Sequence, residues 1–79
     1  MENKILELLK EIQPDFDFEE SVDFIEEGYL DSFDVVTLVS DLEEMFSVLI
    51  SALEIIPENF GSVKDICKLV ERSEKRSFS

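Results

Sequence analysis

The chain has 79 residues and a formal net charge of −13, and both values limit the classes of protein to which it can belong. This length allows one small domain, and a hydrophobic fraction of 44% is sufficient for a compact fold. Residues 11–63 hold fifteen Asp and Glu and no Lys or Arg, and the flanks together carry +2. Nucleic-acid binding requires cations that displace counterions from phosphate, so we expect no nucleic-acid partner. The acids either confer solubility or steer the chain toward partners with basic patches.

Compartment and membrane association are predicted from the apolar and cysteine content. No apolar run approaches the ~20 residues that a membrane span requires, and the first residues are typical of an amphipathic helix, not a signal peptide. Cys67 is the single cysteine, so no internal disulfide can form and a reducing cytoplasm is expected. We therefore predict a cytoplasmic monomer without membrane insertion.

Apolar periodicity predicts helices separated by two long connections. Residues recur at helical spacing in three segments, which include Ile5, Leu8, Leu9 and Ile12, then Val35, Leu38, Val39, Leu42 and Phe46, then Val63, Ile66, Cys67 and Val70. Pro14 ends the first helix, and Ser62 is suited to cap the last one with Asp65 at its third position. The connection over residues 14–30 is long for a small domain, so it must pack against the body or be functional.

The apolar segments 48–50 and 55–56 are β-branched, but no partner strand exists elsewhere in the chain. They are interpreted as loop residues that pack inward, followed by a short helical turn from Pro57 to Phe60. We expect a single domain over residues 1–74 and a frayed polar tail over residues 75–79.

The motif Gly28–Phe33 stands at the predicted start of the second helix. Asp31 is a favourable N-cap with Asp34 at the third helical position, which places Ser32 in the first turn with its hydroxyl toward solvent. A phosphate ester formed there would lie near free backbone N–H groups. The chain contains no histidine that could activate the serine, so Ser32 is predicted to be the substrate of another enzyme.

The run FIEEGYLDSFDVVTLVSDLEEMF, residues 24–46, resembles the phosphopantetheine attachment region of the acyl carrier protein family. Members show Gly, then Asp-Ser-Leu or Asp-Ser-Met, then an amphipathic helix that ends in Leu-Glu-Glu-x-Phe. IPENFGSVKDICKLV resembles the third and fourth helices of the family, so the likeness covers residues 2 to about 73. It implies an all-α, four-helix acyl-carrier-like bundle with three main helices and one short third helix.

The resemblance also implies a function. A phosphopantetheinyl transferase would attach 4′-phosphopantetheine from coenzyme A to Ser32, flanked by Asp31 and Phe33, and the thiol of the arm would hold an acyl or aminoacyl group as a thioester. The chain would not itself be an enzyme. Its clients would be a loading ligase or adenylating enzyme and acyltransferases with basic docking patches. The predicted partner contacts are Asp34, Asp41 and Glu44 on one polar face of the second helix, Glu43 beside that face, and Val36 beside the arm.

Departures from the family pattern predict a specialised carrier rather than the central fatty-acid carrier. Phe33 stands where Leu or Met is usual, Thr37 and Met45 replace acids, and the segment VLISALEII is unusually apolar. The pathway stays open between fatty-acid biosynthesis and secondary metabolism.

Seven phenylalanines, five of them predicted to point inward, favour a filled core without an acyl tunnel and a short or polar cargo. The five are Phe16, Phe18, Phe24, Phe46 and Phe60.

One alternative function remains open, and a metal site is set aside. An unmodified acidic helical module for protein interaction would share the fold and the charge but would give Ser32 no role. The acidic run from Asp15 to Glu20 lacks the central glycine and the final glutamate of a calcium-binding loop, so no metal site is predicted.

Overall fold

The computed structural model describes residues 1–18 and 21–76, with side chains described up to Glu74. Its α-helices are α1 (Glu2–Ile12), α2 (Ser32–Phe46) and α3 (Val63–Arg76), and two single 3-10 turns, η1 (Ala52–Glu54) and η2 (Pro57–Asn59), precede α3. No strand occurs in this part of the chain. The predicted all-α fold is confirmed, and the short third helix is present as η2. The sequence pattern did not predict η1.

Short polar side chains determine where α2 and α3 begin. The Asp34 N–H donates to Asp31 Oδ1 at 2.9 Å, and the Asp31 N–H donates to Asp34 Oδ2 at 3.3 Å, which completes a reciprocal capping box. At α3 the Asp65 N–H donates to Ser62 Oγ at 3.1 Å. Both predicted caps are therefore confirmed, and the first one places Ser32 as the first residue of α2.

The hydrophobic core lies between the three helices and is closed by the two connecting segments. Each helix buries one apolar stripe, as its helical spacing predicts, and α1 contacts both α2 and α3. The most deeply buried large side chains come from all three helices and from both connections: Ile5, Leu9, Phe24, Leu38, Leu42, Phe60, Ile66, Leu69 and Val70. This core fixes α2 with one face inward, so its opposite face and its N-terminus remain at the surface.

The first connector, residues 13–31, is held on the body by its backbone and its aromatic rings. The Phe24 N–H donates to Gly61 O at 2.9 Å, and Phe24 O accepts from the N–H groups of Tyr29 at 2.8 Å and Leu30 at 3.1 Å. Phe18 packs edge-on against Phe24, with ring centroids 4.9 Å apart. In the residues that the structure describes, the first connector therefore packs against the body of the domain, which is one of the two outcomes that its length predicted.

Phe16 does not point inward, and that prediction was wrong. Its side chain is 36% exposed and stacks on Tyr29, with centroids 4.4 Å apart and planes 6° from parallel. Tyr29 is half-buried, and Phe16 stacks on its ring. Phe16 therefore covers the outer side of the aromatic cluster instead of entering the core.

The second connector, residues 47–62, also differs in part from its prediction. Val48 and Ile50 are buried as expected, but Leu49 is 76% exposed and Ile56 is 41% exposed. Neighbouring side chains of a non-helical extended segment point to opposite sides, so burial of Val48 and Ile50 leaves Leu49 outside. The apolar character of these segments did not by itself indicate which of their side chains would be buried.

The last predicted segment was a polar tail from residue 75. Lys75 and Arg76 continue α3, and residues 77–79 lie outside the described residues. Glu19 and Glu20, at the end of the acidic run, also lie outside them. Among the described helices, none combines the length and the apolar character that crossing a membrane requires.

Candidate functional site

Ser32 lies at the surface on a rigid support. It is exposed at the first position of α2, directly after the capping residue Asp31. Leu30, two residues before Ser32, is only 2% exposed and anchors the chain in the core at that point. Gly28 adopts a φ of 75°, a left-handed conformation that favours glycine, and this turn directs the chain from the first connector into the helix. The structure thus presents the hydroxyl-bearing residue between a buried anchor and a capped helix.

A cavity of about 350 Å³ lies beside Ser32. Its walls come from the first connector, the first turns of α2 and the second connector, and most of its lining is aliphatic or aromatic. The lining residues are Ile25, Leu30, Asp31, Ser32, Val35, Val36, Ile55, Ile56, Pro57 and Phe60. Ser32 and Val36 are exposed, so the cavity reaches the surface where the serine stands.

The sequence did not predict this cavity, because the phenylalanines were expected to fill the interior. Phe60 is fully buried and forms one wall of the cavity without closing it. The core residues Leu38, Leu42 and Val70 do not line it, so the cavity lies outside the helix core. The sequence prediction of a core without an acyl tunnel concerned the space among the helices, and it did not include a cavity beside the serine.

Two of the four acids predicted to contact partners are hydrogen-bonded within the chain. Asp34 Oδ2 accepts a hydrogen bond from Gln13 Nε2 at 2.8 Å in addition to its capping bond. Glu43 Oε2 accepts from the Ile50 N–H at 2.9 Å in a partly buried position. Asp34 and Glu43 therefore hold the two connectors against α2, and their carboxylates are already engaged within the chain.

The remaining two predicted acids lie toward α1. Asp41 is half-buried and Glu44 is exposed, and both line a second, smaller groove together with Leu8, Glu11 and Met45. Among residues 1–18 and 21–76, no group of His, Cys, Asp and Glu side chains is arranged to hold a metal ion. Of the four predicted acidic contacts, Glu44 alone is an exposed side chain.

Three large apolar side chains on α2 and η1 are exposed. Phe33 is 82% exposed and Val36 is 63% exposed on α2, and Leu53 in η1 is 88% exposed. Phe33 and Val36 had been singled out as residues beside the arm, and the structure places both at the surface. The signal for Leu53 was the apolar character of the segment VLISALEII, but the sequence interpretation assigned that residue no position.

Cys67 supplies no second reactive group. It is buried in α3 at its predicted core position. Burial raises the pKa of its thiol, and the neighbouring Glu2 and Glu71 carboxylates raise it further. A raised pKa keeps the sulfur protonated at neutral pH, and a protonated thiol is a weak nucleophile.

Comparison with known families agrees with this geometry. The family model described as the phosphopantetheine attachment site matches residues 3–70, which include all three helices in whole or in part, and both connectors. No curated protein and no solved structure gives a match. This family is defined by covalently attached 4′-phosphopantetheine, and its domains carry groups for other enzymes and are not catalysts themselves. The chain belongs to the phosphopantetheine attachment site family and is a carrier domain of the acyl carrier protein type.

Proposed function

We propose that Ser32 is the attachment residue and that the chain, over residues 1–74, is a specialised acyl carrier that acts in the cytoplasm. The observation that carries this proposal is the exposed Ser32 at the capped start of α2, beside a mostly apolar cavity, in a chain of this family. In the attachment step, Ser32 Oγ would form a bond to the pantetheine-bearing phosphorus of coenzyme A. The phosphoanhydride bond would break, adenosine 3′,5′-bisphosphate would leave, and the hydroxyl proton would pass to a base of the transferase.

The charges around Ser32 support an arm that stays mobile at its base. The N-terminus of a helix favours a phosphate, but the Asp31 and Asp34 carboxylates already occupy that end of α2. Among the side chains that the structure describes, no Lys or Arg lines the cavity and could pair with a phosphate. The phosphate of the arm would therefore remain solvated, and the arm would be free to move between the cavity and a client enzyme.

The lining of the cavity supports an acyl cargo over a polar aminoacyl cargo. Burying a polar group without a hydrogen-bond partner is unfavourable, and Ile25, Val35 and Ile55 offer none from their side chains. Phe60 and Leu30, both buried, limit the depth of the cavity and so limit the length of chain that it admits. A short acyl group reaches the cavity if the arm folds back along α2.

Intact mass measurement tests the attachment. After incubation with coenzyme A, magnesium and a broad-specificity phosphopantetheinyl transferase, the chain should gain one phosphopantetheine. Ser32→Ala should gain none, whereas Ser40→Ala, at another exposed serine of α2, should gain one. An unchanged wild-type mass with several transferases would instead support the unmodified interaction module.

Chemical shifts test the cargo. Acyl groups of increasing length on the arm should shift the resonances of the cavity residues Val35, Ile55 and Phe60 until the cavity is filled. Core resonances of Leu38 and Leu42 should stay unmoved, because neither lines the cavity. Shifts at these core residues that grow with chain length would show that the chain enters the bundle and would contradict a short cargo.

A further inference from the structure

The wall that the second connector contributes to the cavity is not held by buried side chains along its length. This wall consists of Ile55, Ile56, Pro57 and Phe60. Phe60 is fully buried, and Ile50, on the other side of the stretch, is 8% exposed. The structure describes all of residues 51–59, and none of them has a buried side chain. The stretch that carries Ile55 and Ile56 is therefore anchored in the core at its two ends, and other interactions must fix it between them.

Three polar side chains supply such interactions. Asn59 Nδ2 donates to Glu54 O at 2.7 Å and to Glu54 Oε2 at 3.2 Å, which closes residues 54–59 into a loop. Arg72 Nη2 donates to Glu54 Oε2 at 2.9 Å and to Asn59 Oδ1 at 3.3 Å. Because Arg72 belongs to α3, these bonds tie the loop to a helix of the core. We call Glu54, Asn59 and Arg72 the Glu54 network.

The Glu54 network acts on the cavity through the backbone. None of its three residues lines the cavity, but Glu54 directly precedes the wall residues Ile55 and Ile56 in the chain. The Ile56 N–H donates to Glu54 O at 3.0 Å, and the Asn59 N–H donates to Ile56 O at 3.0 Å. Ile56 is therefore bonded through its backbone to two members of the network, so a displacement of either member would move the wall.

The exposure of the network indicates that it opens more easily than the core. The Arg72 side chain is 44% exposed and that of Glu54 is 19% exposed, so solvent weakens the attraction between them. Partly exposed polar bonds open locally while the core stays closed. Leu30 and Phe60 limit the depth of the cavity, whose volume is about 350 Å³. A chain too long for that volume therefore needs space at the Ile55–Ile56 wall.

We propose that the Glu54 network sets the length of acyl chain that the cavity accepts, because it holds the Ile55–Ile56 wall in place. The inference rests on the proposed function, since the acyl chain reaches the cavity on the arm of Ser32. Glu54, Asn59 and Arg72 are positioning residues in this role, because none of them lines the cavity. With the network intact only short chains fit, and with the network broken the wall moves outward and longer chains are buried.

The test uses the full chain with phosphopantetheine attached and with straight saturated acyl groups of increasing length on the arm. Amide shifts of Val35 and Phe60, which line the cavity, report how much of the chain lies inside it. For wild type these shifts should stop growing once the cavity is filled. For Asn59→Ala they should keep growing for about one further methylene or more. Burial of one methylene changes an equilibrium about fourfold, so the first chain too long for wild type should have an inside-to-outside ratio about fourfold higher in the variant.

Further variants separate this role from a general loss of stability. Arg72→Gln should raise the length limit in the same direction but by less, and Arg72→Lys, which keeps the cation, should lie between Arg72→Gln and wild type. Lys68→Gln removes an exposed cation one turn earlier on α3, and Phe16→Ala removes a ring of the first connector. Both controls should keep the length limit of wild type, even where Phe16→Ala lowers the free energy of unfolding.

Amide exchange of the unmodified chain tests the hold on the wall without the arm. Asn59→Ala should accelerate exchange of the Ile56 N–H about fivefold, as expected for loss of one hydrogen bond. Unchanged exchange would overturn the inference and leave the attachment proposal standing. The inference is also wrong if wild type is loaded but Asn59→Ala and Arg72→Gln keep its length limit, or if a control variant raises that limit as much. If wild type gains no mass even with excess transferase, the attachment proposal fails and the inference fails with it.

Discussion

The two connectors both border the cavity beside Ser32, but different interactions hold them. The first connector, residues 13–31, is fixed by backbone bonds of Phe24 and by a cluster of rings with a buried centre. The second, residues 47–62, has buried anchors at Val48 and Ile50, but η1 and η2 are held mainly by polar side chains near the surface. One wall of the cavity is thus part of the core, and the opposite wall depends on a few partly exposed hydrogen bonds.

This difference indicates where the site is rigid and where it can adapt. Buried rings and backbone bonds open only when much of the domain opens, whereas exposed polar networks open locally at low free energy. Ser32 follows directly from the first connector, so its position is fixed. The Ile55–Ile56 wall belongs to the second connector, so we expect the cavity to widen there more easily than at the first connector. Four predictions test this comparison, in order of decreasing effect.

Phe24→Ala should have the largest effect, because the side chain is fully buried at the centre of the first connector. Removing a buried phenylalanine ring typically costs about 3–5 kcal/mol of stability. Urea denaturation measures the free energy of unfolding. Phe16→Ala is the control within the same cluster, and its 36% exposure predicts a clearly smaller loss. Equal losses of unfolding free energy for both variants would mean that burial does not determine how much each ring stabilises this connector.

Gly61→Ala tests how closely the two connectors approach each other. An added Cβ would lie 2.9 Å from Asp23 Oδ2, and the same carboxylate accepts bonds from the Ile25 and Glu26 N–H groups at 3.0 Å. Displacing that carboxylate weakens both bonds, so we expect a loss of about 1–2 kcal/mol. In an Asp23→Ala background the same substitution should cost much less, since the clashing atoms are gone. An unchanged cost in that background would contradict the proposed cause.

Asn59→Ala tests the network of the second connector. Its amide donates to Glu54 O at 2.7 Å and to Glu54 Oε2 at 3.2 Å, so we expect a loss of about 1 kcal/mol. The local effect should exceed the global one: amide exchange of Ile55 and Ile56, whose N–H groups bond within this segment, should accelerate. Exchange of Tyr29 in the first connector should stay unchanged. Acceleration of both connectors together would show that they open as one unit.

Arg72→Gln should have the smallest effect. Its ion pair with Glu54 is 2.9 Å long, but the Arg72 side chain is 44% exposed, so solvent screens the attraction. Such pairs contribute about 0.2–1 kcal/mol, and added salt should reduce the difference between variant and wild type. Denaturation at low and high ionic strength measures it. A loss of unfolding free energy that exceeds that of Asn59→Ala, or one that salt leaves unchanged, would mean that solvent does not screen the Arg72–Glu54 pair.

Local sequence determined the helices and the position of Ser32. The caps of α2 and α3 join residues three apart, and the apolar stripes repeat within single helices, so neither depends on distant parts of the chain. The motif around Asp31 and Ser32 was recognisable for the same reason. The family, the all-α fold and the starts of these two helices were therefore predictable before any tertiary contact was known.

Only the tertiary structure decided the surroundings of the serine. Gln13 meets Asp34 across 21 positions, Phe24 meets Gly61, and Arg72 meets Glu54 across 18 positions. Contacts of this kind determine where the connectors lie on the helices, that Asp34 is engaged, and that a cavity remains between the connectors. Burial depends on which segments meet in space, and residue type alone does not specify such long-range pairings. The attachment motif is a local property of the chain, whereas the cavity beside it is a property of the fold.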